Sequence, residues 1–243
     1  MVPSKPSLPK AEKRHLMDQN QFNEYIIKHD IIGFFDSAIK LKSGRSSHFY
    51  VNWRKATNDA FLLDQLTDFI VSFLEASQVT FDSIYGVPEG ASKIGVVTAL
   101  KWAKKQQDFE IGKYTIPMGR AKPKEHGKPE DKFFIGHPQG KTLVIEDTIT
   151  TGLSLIDTLD KLTSSGIDVV AAVGLTDRME KRDDGSSVKE AIEKKFSGKI
   201  QYLTMSKATQ LLGTAAKKAN IQKSILDHVE REFSEVGVEP VQL

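Results

Sequence analysis

The residues with the clearest chemical potential lie in a short window, 143–154, where an apolar run meets two acids and then a turn rich in threonine and glycine. The apolar run predicts a buried strand, and a helix is predicted from about 153 to 164. A helix N-terminus offers unpaired backbone N–H groups and a partial positive charge, so a phosphate group can bind there. Four hydroxyl side chains of the window can add hydrogen bonds to that phosphate: Thr148, Thr150, Thr151 and Ser154.

Two adjacent acids, Glu146 and Asp147, come directly before this turn. Carboxylates repel a phosphate, so these two side chains require a different partner, either sugar hydroxyls or a cationic centre. A phosphorylated sugar lying across the turn satisfies both halves, with its phosphate on the helix and its ribose diol on the acids. The alternative is structural: the acids begin an ordinary loop and the threonines cap a helix.

The segments that must position this window alternate between helix and strand. An amphipathic helix is predicted over about 60 to 76, because apolar residues recur there at intervals of three and four. Beyond it, strands are predicted near 81–87, 112–117, 142–146, 169–175 and 199–205, and helices near 90–105, 153–164, 187–196 and in two later segments. Short apolar strands separated by helices indicate a parallel sheet covered on both faces, which is an α/β fold.

The N-terminal part of the chain is predicted to form a flexible tail and then a small helix-hairpin unit. Residues 1–18 carry prolines among lysines without a hydrophobic period. A helix near Phe22 and two strands, 39–44 and 48–52, joined by a glycine-containing turn, follow this tail. We expect one domain, whose bounds are 19–243 overall, about 20–55 for an N-terminal hood, about 60–205 for the core and about 206–238 for C-terminal helices.

Composition excludes several classes of function. The 243 residues include 34 Lys and Arg against 32 Asp and Glu, a formal charge of +2, which is far from the basic balance of proteins that coat nucleic acids. The absence of cysteine excludes disulfides, thiol catalysis and the usual zinc sites. No apolar run approaches the roughly 18 residues of a membrane span, and the histidines lack metal-ligand spacing. We therefore expect a cytoplasmic protein that binds neither nucleic acid nor a membrane.

Four segments resemble those of a known family. The apolar pair, the two acids, the Thr-Ile-Thr-Thr-Gly sequence and the following helix resemble the phosphoribosyl pyrophosphate (PRPP) motif of the type I phosphoribosyltransferases. Three further segments, 41–52, 120–127 and 176–180, resemble in the same order the N-terminal hairpin, the mobile catalytic loop and the base-contacting segment of orotate phosphoribosyltransferases. The resemblance covers roughly residues 20 to 238.

The resemblance implies a type I phosphoribosyltransferase fold, in which helices flank a mostly parallel central sheet and a small helix-hairpin hood lies at the N-terminus. It implies an enzyme of pyrimidine (UMP) biosynthesis, a pentosyl transferase that moves ribose 5-phosphate from PRPP to orotate. The products are orotidine 5′-monophosphate and pyrophosphate. Acids beside the ribose and cations beside the leaving group suit an oxocarbenium-like transition state without a covalent intermediate on the protein.

The resemblance also assigns roles to individual residues. Catalysis would involve Arg120, Lys124, His126, Glu146 and Asp147. PRPP would contact Lys42, Glu89, Gly90, Ala91, Ser92, Arg120, Lys122, Lys124, His126, Glu146, Asp147, Thr148, Ile149, Thr150, Thr151, Gly152, Leu153 and Ser154. Orotate would contact Lys42, Tyr50, Val51, Thr150 and Arg178.

The chain departs from the family pattern at two places. The family's loop begins with Arg-Lys, whereas Ala121 follows Arg120 here, and Lys122 is the candidate replacement. The turn after the first core strand lacks the family's Tyr-Lys pair, so we expect backbone amides of residues 89–92 to bind pyrophosphate. In the resembled loop, His126 can protonate the leaving group.

The resemblance implies magnesium as the cofactor, carried by the PRPP phosphates close to Asp147 and not held by protein ligands alone. It also implies a homodimer in which the loop of one subunit reaches the active site of the other. Two alternatives stay open at this point. Because the PRPP motif does not specify the base, one alternative is a related enzyme for a purine or another oxo-pyrimidine. The other is a PRPP-sensing module without catalysis, which would have no need of Arg120, Lys124 and His126.

Overall fold

The secondary structure comes from a computed structural model that describes residues 17–120, 124–126 and 132–243. The helices are α1 (Gln19–Lys28), α2 (Arg54–Thr57), α3 (Ala60–Ser77), α4 (Ser92–Lys104), α5 (Leu153–Ser164), α6 (Val188–Lys195), α7 (Ala208–Ala219) and α8 (Lys223–Val236). The strands are β1 (Ile32–Lys40), β2 (Ser46–Val51), β3 (Ser83–Gly86), β4 (Met118–Gly119), β5 (Phe134–Ile135), β6 (Lys141–Ile149), β7 (Asp168–Asp177) and β8 (Gln201–Thr204). Residues 1–16 of the predicted tail, and Lys122 of the predicted loop, lie outside the described residues.

The centre of the fold is a six-stranded sheet in the order β5-β4-β3-β6-β7-β8. Strands β4, β3, β6, β7 and β8 run parallel, and the edge strand β5 is antiparallel to β4. Strand β7 is buried along nearly its whole length, as an apolar strand covered on both faces must be. The prediction of an α/β fold with a mostly parallel sheet is confirmed.

The chemical window lies on β6 and α5, in the middle of this sheet. Strand β6 places Leu143, Val144 and Ile145 in the core. Helix α5 follows Gly152, whose φ of 69° lies in the left-handed region that glycine adopts without strain. The helix predicted from about 153 to 164 is confirmed, and its leucine-rich face is buried.

The N-terminal hairpin of β1 and β2 forms its own two-stranded sheet. Phe22 of α1 stacks on Trp53, and Phe49 of β2 stacks on Phe233 of α8 with ring centroids 5.8 Å apart. All four rings are buried in one apolar cluster that also includes residues of β3, β6 and β7. The hairpin is therefore fixed to both the central sheet and the C-terminal helices. The division into hood, core and C-terminal helices stays a prediction.

The structure corrects the first strand of the hairpin and the strand predicted at 112–117, whereas the amphipathic helix predicted near 60–76 is confirmed as α3. The first strand of the hairpin is β1 and not 39–44, because β1 carries a bulge that breaks the period-two pattern of its sequence. Residues 112–117 form no strand, since pairing with β3 begins only at Met118. The preceding Pro117 has no N–H to donate to such a ladder.

The helices differ in length, and α3 is the longest of those in the described ranges. No helix within these ranges combines the length and the apolar character needed to cross a membrane. The cytoplasmic location stays a prediction.

Candidate active site

The carboxyl ends of β3 and β6 and the β1-β2 hairpin surround a cavity of ≈ 310 Å³. Open α/β sheets commonly bind their ligands at this end of the strands. The walls include many of the residues predicted from the sequence: Lys42, Tyr50, Val51, Glu89, Gly90, Glu146, Asp147, Thr148, Ile149, Thr150, Thr151, Gly152, Leu153, Ser154 and Arg178. Residues from four separated segments thus line one concavity.

The two acids lie within β6 and not beyond its end, so the predicted end of the strand at Glu146 is wrong. The strand continues to Ile149 because β7 supplies a parallel partner as far as Asp177, and the Arg178 N–H donates to the Ile149 carbonyl oxygen. The Thr148 N–H donates to Asp147 Oδ1 at 2.7 Å. The pairing of β6 with β7 fixes the backbone that carries the acids.

Glu146 is buried, with 6% of its surface exposed, whereas Asp147 is half-buried. Burial raises the pKa of the Glu146 carboxyl well above its ordinary value, and the negative charge of Asp147 raises it further. The Lys42 ammonium acts in the opposite direction on this pKa, but with a smaller effect. Carboxyl oxygens accept hydrogen bonds from hydroxyl groups, so the pair can bind the diol of a sugar.

The turn after the acids leads into α5, whose first turn also lines the cavity. Lys42 Nζ, from the hairpin, donates to Ser154 Oγ at 2.9 Å and so joins the hairpin to the first turn of α5. The guanidinium of Arg182 donates to the carbonyl oxygen of Thr151 in this turn. Sequence reasoning missed Arg182, because it lies 31 residues away in a charged segment without a recognisable motif.

The turn after β3 faces the acids. Glu89 and Gly90 line the cavity, and a Cβ placed on Gly90 would lie 2.5 Å from Asp147 Oδ2. A side chain at this position would therefore displace the acid, which explains why the turn carries a glycine here. The N–H groups of Ala91 and Ser92 already donate to carbonyl oxygens of the turn. Of the four amides expected to bind pyrophosphate, those of Glu89 and Gly90 are the better candidates.

Arg120, at the end of β4, borders a second cavity of ≈ 680 Å³, which Lys42, Glu89 and Ser154 also line. Arg120 Nε donates to the Phe134 carbonyl oxygen at 3.1 Å. Lys124 and His126 are exposed and line neither cavity. The structure thus brings Arg120 to a cavity that shares wall residues with the one lined by the acids, but Lys124 and His126 line neither.

Arg178 lies at the hairpin end of the first cavity and is 1% exposed. Its guanidinium stacks on the Phe49 ring at 3.8 Å and donates to three protein oxygens. Burial lowers the pKa of this guanidinium, but the adjacent Glu180 carboxylate opposes the shift. The side chain is therefore a charged group held in place on one wall of the cavity, between β2 and the end of β7.

The acid pair fits magnesium that arrives with a phosphate ligand. Among the described residues, no three His, Asp or Glu side chains gather in a way that could hold a metal ion by themselves. Mg²⁺ accepts carboxylate oxygens and usually needs only one or two of them when phosphates and water complete its shell. Asp147, which lines the cavity, can supply such an oxygen.

Comparisons of sequence and of structure with known proteins find relatives of one kind. No family model matches the chain. The orotate phosphoribosyltransferase of Marinobacter nauticus is 27% identical over 195 residues, which are 80% of this chain and 86% of that protein. The chain is a relative of the orotate phosphoribosyltransferases. The solved orotate phosphoribosyltransferase of Francisella tularensis has a TM-score of 0.64 at 21% identity and matches 89% of this chain and 99% of its own.

A second solved relative extends this likeness. The orotate phosphoribosyltransferase of Mycobacterium tuberculosis in complex with PRPP has a TM-score of 0.53 at 18% identity, over 79% of this chain and 98% of its own. These structures confirm the predicted type I phosphoribosyltransferase fold. The cavity described above lies at the carboxyl end of the parallel strands of this chain, which is a relative of the orotate phosphoribosyltransferases.

Proposed function

We propose that the chain transfers the 5-phosphoribosyl group of PRPP to a ring nitrogen of orotate, in the biosynthesis of pyrimidine nucleotides. The products are orotidine 5′-monophosphate and pyrophosphate. The observation that carries this proposal is that one cavity combines the acids and the phosphate turn with a buried arginine at the hairpin end. The sequence relatives named orotate phosphoribosyltransferase support the same assignment.

Successive groups along the cavity wall match the 5-phosphate, the ribose and the pyrophosphate of PRPP. The 5-phosphate binds the amides and hydroxyls of residues 150–154 at the start of α5, where the helix end favours an anion. The ribose hydroxyls bind Glu146 and Asp147, and the pyrophosphate extends toward Glu89, Gly90 and the second cavity. The first and second cavities share Lys42, which can contact a phosphate at their junction.

The reaction breaks the bond from ribose C1 to the pyrophosphate oxygen and forms a bond from C1 to the base nitrogen, and the proton lost by this nitrogen is taken up by the released pyrophosphate. Positive charge develops on the ribose ring as the first bond breaks, and the charge of Asp147 offsets it. A fixed group that meets developing charge in a cavity with little water stabilises the transition state more than the ground state. Magnesium, when bound, neutralises part of the charge of the departing pyrophosphate.

The end of the cavity beside Arg178, where the base would bind, favours an anionic ligand. Arg178 is a buried cation on the cavity wall, and Tyr50 and Val51 of β2 provide a surface for a flat ring. Orotate carries a carboxylate, which an arginine fork binds through two charge-assisted hydrogen bonds. A purine has no such group, so its binding would leave these arginine donors without a partner.

The homodimer with shared sites is also part of the proposal. Lys124 and His126 are exposed and line neither cavity of their own chain. Phe133, next to the edge strand β5, and Ile135, within it, are both 45% exposed, which is unusual for an edge strand facing water. A two-fold partner that covers this edge would receive the loop of its neighbour close to its own cavity.

The role of Arg178 provides a direct test of the base. Arg178→Ala is expected to raise the KM for orotate about 10- to 100-fold, because a charge-assisted contact contributes about 1.5 to 3 kcal/mol. The KM for PRPP should stay close to that of the unmutated protein. Steady-state kinetics with each substrate varied, on variants shown to be folded by circular dichroism, measure both constants.

Arg231→Ala is the matched control for this variant. Arg231 is exposed on α8 and does not line either cavity, so its removal should change neither KM. An equal loss for both substrates in Arg178→Ala would mean that Arg178 supports the fold and does not bind the base.

A further inference from the structure

The guanidinium of Arg178 is held by groups from three directions. Nε donates to Glu180 Oε1 at 2.7 Å, Nη1 to the Phe49 carbonyl oxygen at 3.2 Å and Nη2 to Ser47 Oγ at 2.9 Å. The Phe49 ring covers one face of the guanidinium at 3.8 Å. Of these contacts, the bond to Glu180 is the shortest, and its acceptor is the one that carries a charge.

These contacts leave a defined set of donors for a ligand. A guanidinium has five N–H groups, one on Nε and two on each terminal nitrogen. Each of the three nitrogens of Arg178 gives one N–H to the protein. One N–H therefore remains on Nη1 and one on Nη2, and such a pair can bind a carboxylate through two hydrogen bonds.

Glu180 is itself a buried acid, with 5% of its surface exposed. Its second oxygen, Oε2, accepts from Arg45 Nη1 at 3.4 Å, so one carboxylate lies between two arginines. A carboxylate this close to the base end repels the carboxylate of orotate and cannot bind it directly. The presence of Glu180 therefore requires another explanation, and its short bond to Arg178 supplies one.

We propose that Glu180 is a positioning residue for the base: it occupies the Nε side of Arg178 and thereby directs the two remaining N–H groups toward the carboxylate of orotate. The inference rests on the proposed function and adds the group that sets its specificity. The Phe49 ring fixes the plane of the guanidinium, and Glu180 fixes its rotation within that plane. Without Glu180, Nε of a buried arginine would lose its acceptor, and the guanidinium could turn to satisfy it.

The test compares the two substrates in a set of Glu180 variants. Glu180→Ala is expected to raise the KM for orotate roughly 10-fold, the scale of one charge-assisted hydrogen bond, with kcat and the KM for PRPP nearly unchanged. Glu180→Gln keeps the volume and an acceptor oxygen but loses the charge, so a smaller rise of about 3-fold is expected. If Glu180→Ala does not fold, the KM for orotate of Glu180→Gln still tests the positioning role.

A double variant and a matched control separate positioning from general damage. If Glu180 acts through Arg178, adding Glu180→Gln to Arg178→Ala should raise the KM for orotate no further. Asp183→Asn removes the other acid that binds Arg45, at a side chain that is 95% exposed, and leaves every bond of Arg178 in place. This control should behave as the unmutated protein does.

The outcomes distinguish this inference from the proposed function. If Arg178→Ala raises the KM for orotate but both Glu180 variants leave it unchanged, the positioning role is wrong and the proposed function stands. The positioning role is equally wrong if the Glu180 variants raise the KM for PRPP as much as that for orotate. If the unmutated protein does not use orotate, both proposals fail.

Discussion

Asp147→Asn is expected to lower kcat by at least about 100-fold, the scale seen when one preorganised electrostatic group is removed from a reacting centre. The substitution changes the charge of the side chain and almost nothing of its shape, so it tests electrostatics and not packing. An asparagine at position 147 fits the same space, because Gly90 in the turn after β3 has no side chain that would clash with it. Single-turnover kinetics at saturating PRPP and orotate measure the chemical step directly.

A matched control for this variant is Asp160→Asn. Asp160 is an exposed acid of α5 that lines neither cavity, and the proposed reaction does not use it. It should keep its full turnover. If Asp147→Asn were also nearly as active as the unmutated protein, the assignment of Asp147 to the ribose would be overturned.

Mixed dimers of two inactive variants are expected to recover activity. Lys124→Ala and Asp147→Asn should each be nearly inactive as homodimers, since every site then lacks either the loop cation or the acid. In a heterodimer with shared sites, one site carries both defects and the other carries neither. Heterodimers isolated through two different affinity tags should therefore have about half the activity of the unmutated dimer.

The control for this experiment is a dimer with two differently tagged Asp147→Asn chains, which should stay inactive. If the loop and the acid act within one subunit, each site of the heterodimer keeps one defect. Heterodimers as inactive as both parents would then show that the sites are not shared.

Much of the fold was predictable because its signals are local. The apolar run of β6, the left-handed glycine at 152 and the leucine period of α5 lie close together in the chain, and each follows from neighbouring residue types. The same window contains Glu146 and Asp147, so the strongest part of the candidate site could also be predicted. The bounds of β1 could not, because its bulge removes the pattern on which the prediction depended.

The surroundings of Arg178 could not be predicted, because they come from distant parts of the chain. Ser47 lies 131 residues before Arg178, and Phe49 lies 129 residues before it. The bond from Arg178 to Glu180 spans only two residues, but a pair at this spacing on a loop would ordinarily be exposed and weak. Only the burial of both side chains distinguishes this pair, and burial depends on how the hairpin packs against the end of β7.

The identity of the base, orotate, is the proposal on which the others depend, and a competition between bases tests it most directly. The purified full-length protein would be given PRPP and magnesium together with orotate, uracil, hypoxanthine or adenine, while base consumption and pyrophosphate release are followed. We expect orotate to be consumed with one pyrophosphate released for each molecule, and the three bases without a carboxylate to react about 10- to 100-fold more slowly, as the loss of the Arg178 contact requires. Comparable rates with uracil or with either purine would show that the protein does not select its base through a carboxylate.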